Sequence, residues 1–235
     1  MKHRIDPKVD CVFKSIFGQE ENKNLLIHFL NAVLGLEEGS RIVDVTIENP
    51  YDEKEFIGRR QICVEGKATD EKNDVFLIEI QSAMHSSMIS GMLHTWSGVY
   101  CSQVEKNMSF ANLKPLISIW IVDKDLFEDV EKYHFNFGIS SPGMEANLTD
   151  DEIHVLLLPK FKTDTAITKE EHRWIYFFKE GRSIDYDNPP EVLETKEMKQ
   201  AIEVLKRFSE NQEKYLFYQR RVDALMEKKG SVQIH

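Results

Sequence analysis

The sequence predicts an α/β protein with a helical tail, on three observations. Up to residue 122 the apolar residues switch between helical and strand periods in the order helix, three strands, helix, strand. Residues 115–122 (PLISIWIV) are nearly all apolar, as a strand buried on both faces requires. Beyond residue 167 only the helical period remains.

Each element follows from its local pattern. Val9, Val12, Phe13, Ile16 and Phe17, then Leu25, Leu26, Phe29, Leu30, Val33 and Leu34, predict one long helix or two short ones over residues 9–34, with Gly35 as the stop. Residues 41–49 (RIVDVTIEN) carry Ile42, Val43, Val45 and Ile47 and end before Pro50, so they read as a strand. Residues 61–69 and 75–81 are two more strands. The turn-rich DEKND at 70–74 between them predicts a β-hairpin. Met88, Met92, Trp96, Val99 and Val104 place a helix over 86–106. After the apolar strand at 115–122, residues 133–137 (YHFNF) and 153–158 (IHVLLL) add two strands around a Ser-Pro-Gly turn at 141–143. Helices are expected over 168–180, 191–208 and 211–228, with Met198, Ile202, Leu205 and Phe208 forming one stripe. We divide the chain into a core, residues 1–165, and a helical extension, 166–235, that packs on it; by composition, residues 185–190 (DYDNPP) are the best candidate boundary between an α/β core and a helical tail.

Composition narrows the function. Apolar residues at 41% and charged residues at 30% of 235 describe an ordinary globular chain rather than a disordered one. Three cysteines, Cys11, Cys63 and Cys101, are odd in number and lie far apart without C-x-x-C spacing, which suggests neither a disulfide framework nor a zinc knuckle and fits reduced thiols in the cytoplasm. The N-terminus lacks a signal-peptide pattern and no run approaches a membrane span, so no membrane partner is expected. A net charge of −10 argues against general polyanion coating. Local binding of nucleic acid remains open, because bound cations invert the charge of an acidic site. The eight histidines show no H-x-x-x-H pair, and neither a G-x-S-x-G elbow nor a phosphate-binding P-loop is present.

The chemistry is signalled by acidic residues inside strands built for burial. In residues 75–81 (VFLIEIQ), Glu79 and Gln81 interrupt an apolar run at i and i+2, so they share one face. A buried carboxylate without a partner costs several kcal/mol, so Glu79 calls for a cation, a donor or a shifted pKa. Glu65 lies four residues before Thr69, as Glu79 lies four after Val75, and hairpin closure would bring the two carboxylates together. A hard divalent ion, magnesium first, would relieve their repulsion. Asp10, at the front of the first helix, could fold back to the same site. The plainer readings are that Glu79 and Gln81 lie on a wetted sheet face, that Glu65 pairs with Lys67, and that Asp10 serves the helix dipole.

The stretch VEGKATDEKNDVFLIEIQ (64–81) resembles the PD-(D/E)xK nuclease family transposases, also described as recombination-promoting nucleases. DCVFKSIFGQEENKNLLIHFLNAVLG (10–35), TWSGVYCSQVEKNMSFANLKPLISIWIVD (95–123) and LTDDEIHVLLLPKF (148–161) are similar to its other blocks, in order. The resemblance implies a restriction-endonuclease-like core with a mixed sheet of about four strands flanked by helices, and magnesium-dependent DNA cleavage, with manganese as a substitute ion. It implies Glu65 and Glu79 as metal ligands, helped by the Ile80 carbonyl, and Gln81 orienting the attacking water where more distant relatives have lysine. Lys14, Arg59, Arg60 and Lys67 are the candidate phosphate contacts. Two departures stand out: Glu65 where the family usually has Asp, and Gly66 where it has a valine-like residue. They keep open a second reading, a degenerate nuclease fold that binds nucleic acid or protein. The stripe around Met198 leaves a homodimer contact open as an alternative to internal packing.

Overall fold

The computed structural model describes residues 3–48, 66–81, 87–104, 109–141, 143, 147–163 and 166–232. Helix α1 (Asp10–Phe17) and helix α2 (Lys23–Leu34) are separated by a single 3-10 turn, so the first apolar stretch forms two short helices. The stop at Gly35 is a left-handed cap, φ 63°, with its N–H bonded to the Asn31 carbonyl. Strands β1 (Val45–Glu48), β2 (Gly66–Asp70) and β3 (Val75–Gln81) follow, then α3 (Met88–Ser102), β4 (Leu116–Val122), β5 (His134–Gly138) and β6 (Glu152–Leu157). Helices α4 (Glu170–Glu180), α5 (Lys196–Glu210) and α6 (Gln212–Val232) close the chain.

The strands form one six-stranded mixed sheet in the order β1-β2-β3-β4-β6-β5, two strands wider than the core expected from the resemblance. β1–β2 and β2–β3 are antiparallel, β3–β4 and β4–β6 are parallel, and β5 runs antiparallel to β6 on the far edge. Parallel neighbours need a crossover, and α3 supplies it between β3 and β4. The β2–β3 hairpin forms as expected, in the register Thr69 opposite Val75 through Gly66 opposite Ile78. Its turn is closed by Asp70, whose Oδ1 accepts from the backbone N–H of Lys72 at 2.9 Å and of Asp74 at 2.8 Å, with Asn73 at φ 66°.

Strand alternation separates two interiors. Phe76, Ile78 and Ile80 of β3 join Ile119 and Ile121 of β4 in the main core, with Phe13, Phe17, Phe29, Trp174, Phe178 and Leu205 from the helices. Val75 and Leu77 face the other way, against Val99, Trp96 and Tyr100 of α3. The helical extension belongs to the main core: Trp174, Leu205 and Tyr218 lie in the same cluster as Phe13 and Ile78. It is also tied to the N-terminus, because the Tyr218 hydroxyl accepts from the Asp6 N–H at 3.1 Å and the Tyr186 hydroxyl from the Ile5 N–H at 2.9 Å. Burial raises the pKa of both phenols. Among the described residues no helix is long and apolar enough to cross a membrane.

Candidate nuclease site

Parity places Glu79 and Gln81 on the α3 side of β3, in line with Leu77 and across the ladder from Trp120 and Val122. Glu79 is 2% exposed, so a wetted sheet face does not account for it. Helix α3, which carries no Lys, Arg, Asp or Glu, covers this side of the sheet with apolar residues. Gln81 ends the strand half-buried, where the interior opens.

Three chain segments meet at this end of the sheet. The antiparallel hairpin puts the start of β2, Gly66, opposite Ile78, one residue before Glu79. The Gln81 carbonyl accepts from the N–H of Asp123, the residue after β4, at 3.0 Å. The Lys8 ammonium, just ahead of α1, lies 3.5 Å from Asp123 and 3.5 Å from Asp6, and donates to the Phe178 carbonyl at 3.4 Å. Asp123 was not among the expected site residues. Its signal was legible, since an acidic residue stands directly after a seven-residue buried strand.

The other expected residues are distributed as follows. Glu65, Arg59 and Arg60 lie outside the described residues. Lys67 shares the Glu79 face of the sheet, opposite Leu77, and its ammonium is 2.8 Å from Glu48 on the edge strand. Glu48 also accepts from the Thr69 hydroxyl at 2.6 Å. Partial burial raises the Glu48 pKa, but the hydrogen bonds from Lys67 and Thr69 outweigh it and the net shift is downward. Asp10 opens α1, which packs on the opposite face of the sheet, and its carboxylate is gripped by the Arg221 guanidinium of α6, with Nε 3.0 Å from Oδ1. Lys14 is half-buried on the same helix. Glu79 and Lys67 are thus on one face, while Asp10 and Lys14 are on the helix behind it.

The donor set suits a hard cation in its chemistry: a buried carboxylate, main-chain carbonyls at a strand end and an amide side chain. Among the described residues, no three His, Cys, Asp or Glu side chains converge closely enough to hold an ion by themselves. An ion at Glu79 therefore needs a further ligand, and Glu65 is bonded directly to Gly66, which the ladder holds beside β3. Of the described cysteines, Cys11 is half-buried and Cys101 exposed, both unbridged. Burial, then the Asp10 carboxylate, pushes the Cys11 thiol up to about 11, so it is not a nucleophile near neutral pH.

A mixed sheet with an antiparallel hairpin entering a parallel β-α-β unit, and an E-x-Q pair at the end of the hairpin's second strand, defines the PD-(D/E)xK nuclease-like class of α/β fold. The model of the PD-(D/E)XK nuclease family transposases matches residues 7–234, and the chain belongs to that family. Neither the curated proteins nor the solved structures contain a match to it.

Proposed function

We propose that the protein is a metal-dependent DNA endonuclease of the transposase- and recombination-associated kind, acting in the cytoplasm, with its centre at the end of β2 and β3. The observation that carries this reading is Glu79, a carboxylate 2% exposed on a strand whose other buried positions are all apolar. Placing a carboxylate in a sheet interior costs several kcal/mol of desolvation, which a bound cation would offset. In this reading Glu65 and Glu79, with the Ile80 carbonyl, hold a magnesium or manganese ion. A bound ion of this kind would acidify a ligand water and stabilise charge on the scissile phosphate.

The remaining steps belong to the chain itself. Gln81, two residues beyond Glu79 on the same face and half-buried, orients a water through its amide, which donates and accepts but takes no proton. Helix α3 keeps bulk water off the carboxylate from above, which strengthens every charge interaction below it. Lys67 stands on the same face and can turn from Glu48 towards a phosphate; Arg59 and Arg60 stay as phosphate-contact candidates on sequence alone, and Lys14 is on the helix behind the sheet. Asp10 can join the ion only after leaving Arg221. Residues 1–165 carry this centre, and residues 166–235 brace it from the helical side.

One observation favours the second reading, a degenerate fold that binds without cutting. Asp10 and Lys67, two of the expected site residues, are already neutralised within the chain by Arg221 and Glu48. Cleavage of supercoiled plasmid with magnesium or manganese separates the two. Nicking by the wild type that disappears in Glu79→Ala and Glu65→Ala supports the enzyme. A well-folded wild type that binds DNA but leaves the plasmid intact in both metals overturns it in favour of the binding module.

A further inference from the structure

The sheet ends on two unlike edges. β1 is four residues long and carries Glu48, which Lys67 holds in an ion pair, so charge guards that edge. β5 is the other edge, and residues 134–141 (HFNFGISS) hold no Lys, Arg, Asp, Glu or Pro. Among the described residues no strand lies beyond it. The Leu157 N–H donates to the Tyr133 carbonyl at 2.7 Å, and along an antiparallel ladder the residues that bond inward alternate. Phe135 and Phe137 therefore turn their main chain to β6, while His134, Asn136 and Gly138 turn N–H and C=O outward.

This edge also exposes apolar side chains. Phe137 is 44% and Ile139 48% exposed. The Phe135 and Phe137 rings stack with centroids 6.0 Å apart and planes at 9°, and Phe127 adds a third ring 4.7 Å from Phe135 and 5.9 Å from Phe137. An uncharged, unblocked edge with exposed aromatic side chains is a template for another strand. Charge decides which strand. The chain carries a net −10, so two copies repel wherever their charged surfaces meet, and on this strip they do not. A basic or acidic partner would find no opposite charge here to select it. The stripe of Met198, Ile202, Leu205 and Phe208 cannot serve the same purpose, because it is buried in the main core.

We propose that β5 is the docking edge for a second copy of this chain, paired antiparallel across a two-fold axis at Asn136, so that two six-stranded sheets join into one. The outward groups fix the register, since only a centre at Asn136 uses His134, Asn136 and Gly138 together. His134 of one copy then lies opposite Gly138 of the other, and Asn136 opposite its own equivalent, each pair exchanging two main-chain hydrogen bonds. Phe135 of each copy comes opposite Phe137 of the other, with Cα atoms about 4.5 Å apart, a spacing at which cross-strand aromatic pairs stabilise a sheet. Pairing consumes both β5 edges and leaves the charged β1 edges outside, so the assembly closes at two chains. It does not depend on the cleavage reading.

The test places charge at the axis. Asn136 is exposed in the single chain, so a charged side chain there has room in the monomer. Sedimentation of the wild type at about 50 μM should give twice the chain mass. Like charges directly opposite on a ladder repel, so Asn136→Asp and Asn136→Lys should each sediment as monomers, and an equal mixture of the two should recover the dimer. A wild-type monomer at that concentration, an assembly larger than two, a dimer that both variants keep, or a mixture that stays monomeric overturns the proposal. If a variant does not fold, amide exchange in the concentrated wild type decides. The N–H groups of His134, Asn136 and Gly138 should then exchange as slowly as those of Phe135 and Phe137, and exchange at the rate of free amides would overturn the pairing.

Discussion

Replacing Glu79 by Gln removes a negative charge from a position 2% exposed while keeping the side chain's length and shape. Two consequences can be sized. Without metal, the wild type bears the desolvation of a buried carboxylate, and the amide removes that charge while giving up whatever the charge itself holds. The amide still needs partners, and the metal-free variant is expected to stay within about 2 kcal/mol of the wild type. With metal the two diverge. An ion bound only by the folded state at about 100 times its dissociation constant adds about 2.7 kcal/mol. For a chain of 235 residues each kcal/mol moves the melting temperature by about 2–4 °C. Magnesium should therefore raise the wild-type midpoint by roughly 5–10 °C and leave Glu79→Gln unmoved.

The assay is thermal unfolding by circular dichroism with and without magnesium, using calcium as an ion that binds carboxylates without the same chemistry and sodium at matched ionic strength to remove screening. Equal magnesium shifts in wild type and Glu79→Gln would remove Glu79 from the ion site, whatever the activity assays show. A metal-free variant that is several kcal/mol less stable would refute the reasoning differently, by showing that the carboxylate is a structural member of the sheet.

Three further outcomes can be checked by urea unfolding. Asp70→Ala removes the one oxygen that accepts two backbone hydrogen bonds in the β2–β3 turn, and loss of about 1–2 kcal/mol is expected, with β2 and β3 less firmly registered. Lys67→Met leaves partial burial and Thr69 to act on Glu48; because a lowered carboxylate pKa stabilises above its unfolded value of about 4.3 and is lost as pH falls, acid unfolding of the variant should begin at higher pH. Asp10→Ala, Arg221→Ala and the double variant should each lose less than about 1 kcal/mol, the double no more than either single, as for one partly exposed pair.

Much of this fold is written in local pattern, and the parts that are not have physical reasons. The apolar run at residues 116–122 is buried between two parallel neighbours, and the turn residues at 70–74 close the expected hairpin. The hydrophobic period could not say whether residues 9–34 form one helix or two, since the break lies at Gly18 and a 3-10 turn within a continuous apolar pattern. It also places strand ends loosely: residues 41–44 precede β1 rather than belong to it, because Ile42 is held by Asn31 instead of by a neighbouring strand. At the site, alternation alone put Glu79 and Gln81 on one face, and burial of that face by α3 needed the structure. The partners of Asp10 and Lys67 were not readable, because Arg221 is 211 residues from Asp10 and Glu48 belongs to a strand whose register only folding sets.

The long-range ties also bear on what the helical extension does. Tyr218 and Arg221 of α6 fix Asp6 and Asp10, the residues that bracket Lys8, and Lys8 reaches Asp123 beside the Gln81 carbonyl. The path from the last helix to the end of β3 thus runs through four consecutive polar contacts and the start of α1. Each contact alone is worth little, about 1 kcal/mol or less where it is exposed. Their joint effect is positional: they set where the N-terminal segment sits against the mouth of the site, and displacement of about 1 Å is enough to impair a reaction that depends on alignment. The extension's aromatic residues Trp174, Phe177 and Phe178 are buried in the main core, so its packing supplies the stability and its polar tips supply the alignment. On this reasoning the tail of the chain is a working part of the nuclease scaffold rather than an appendage to it.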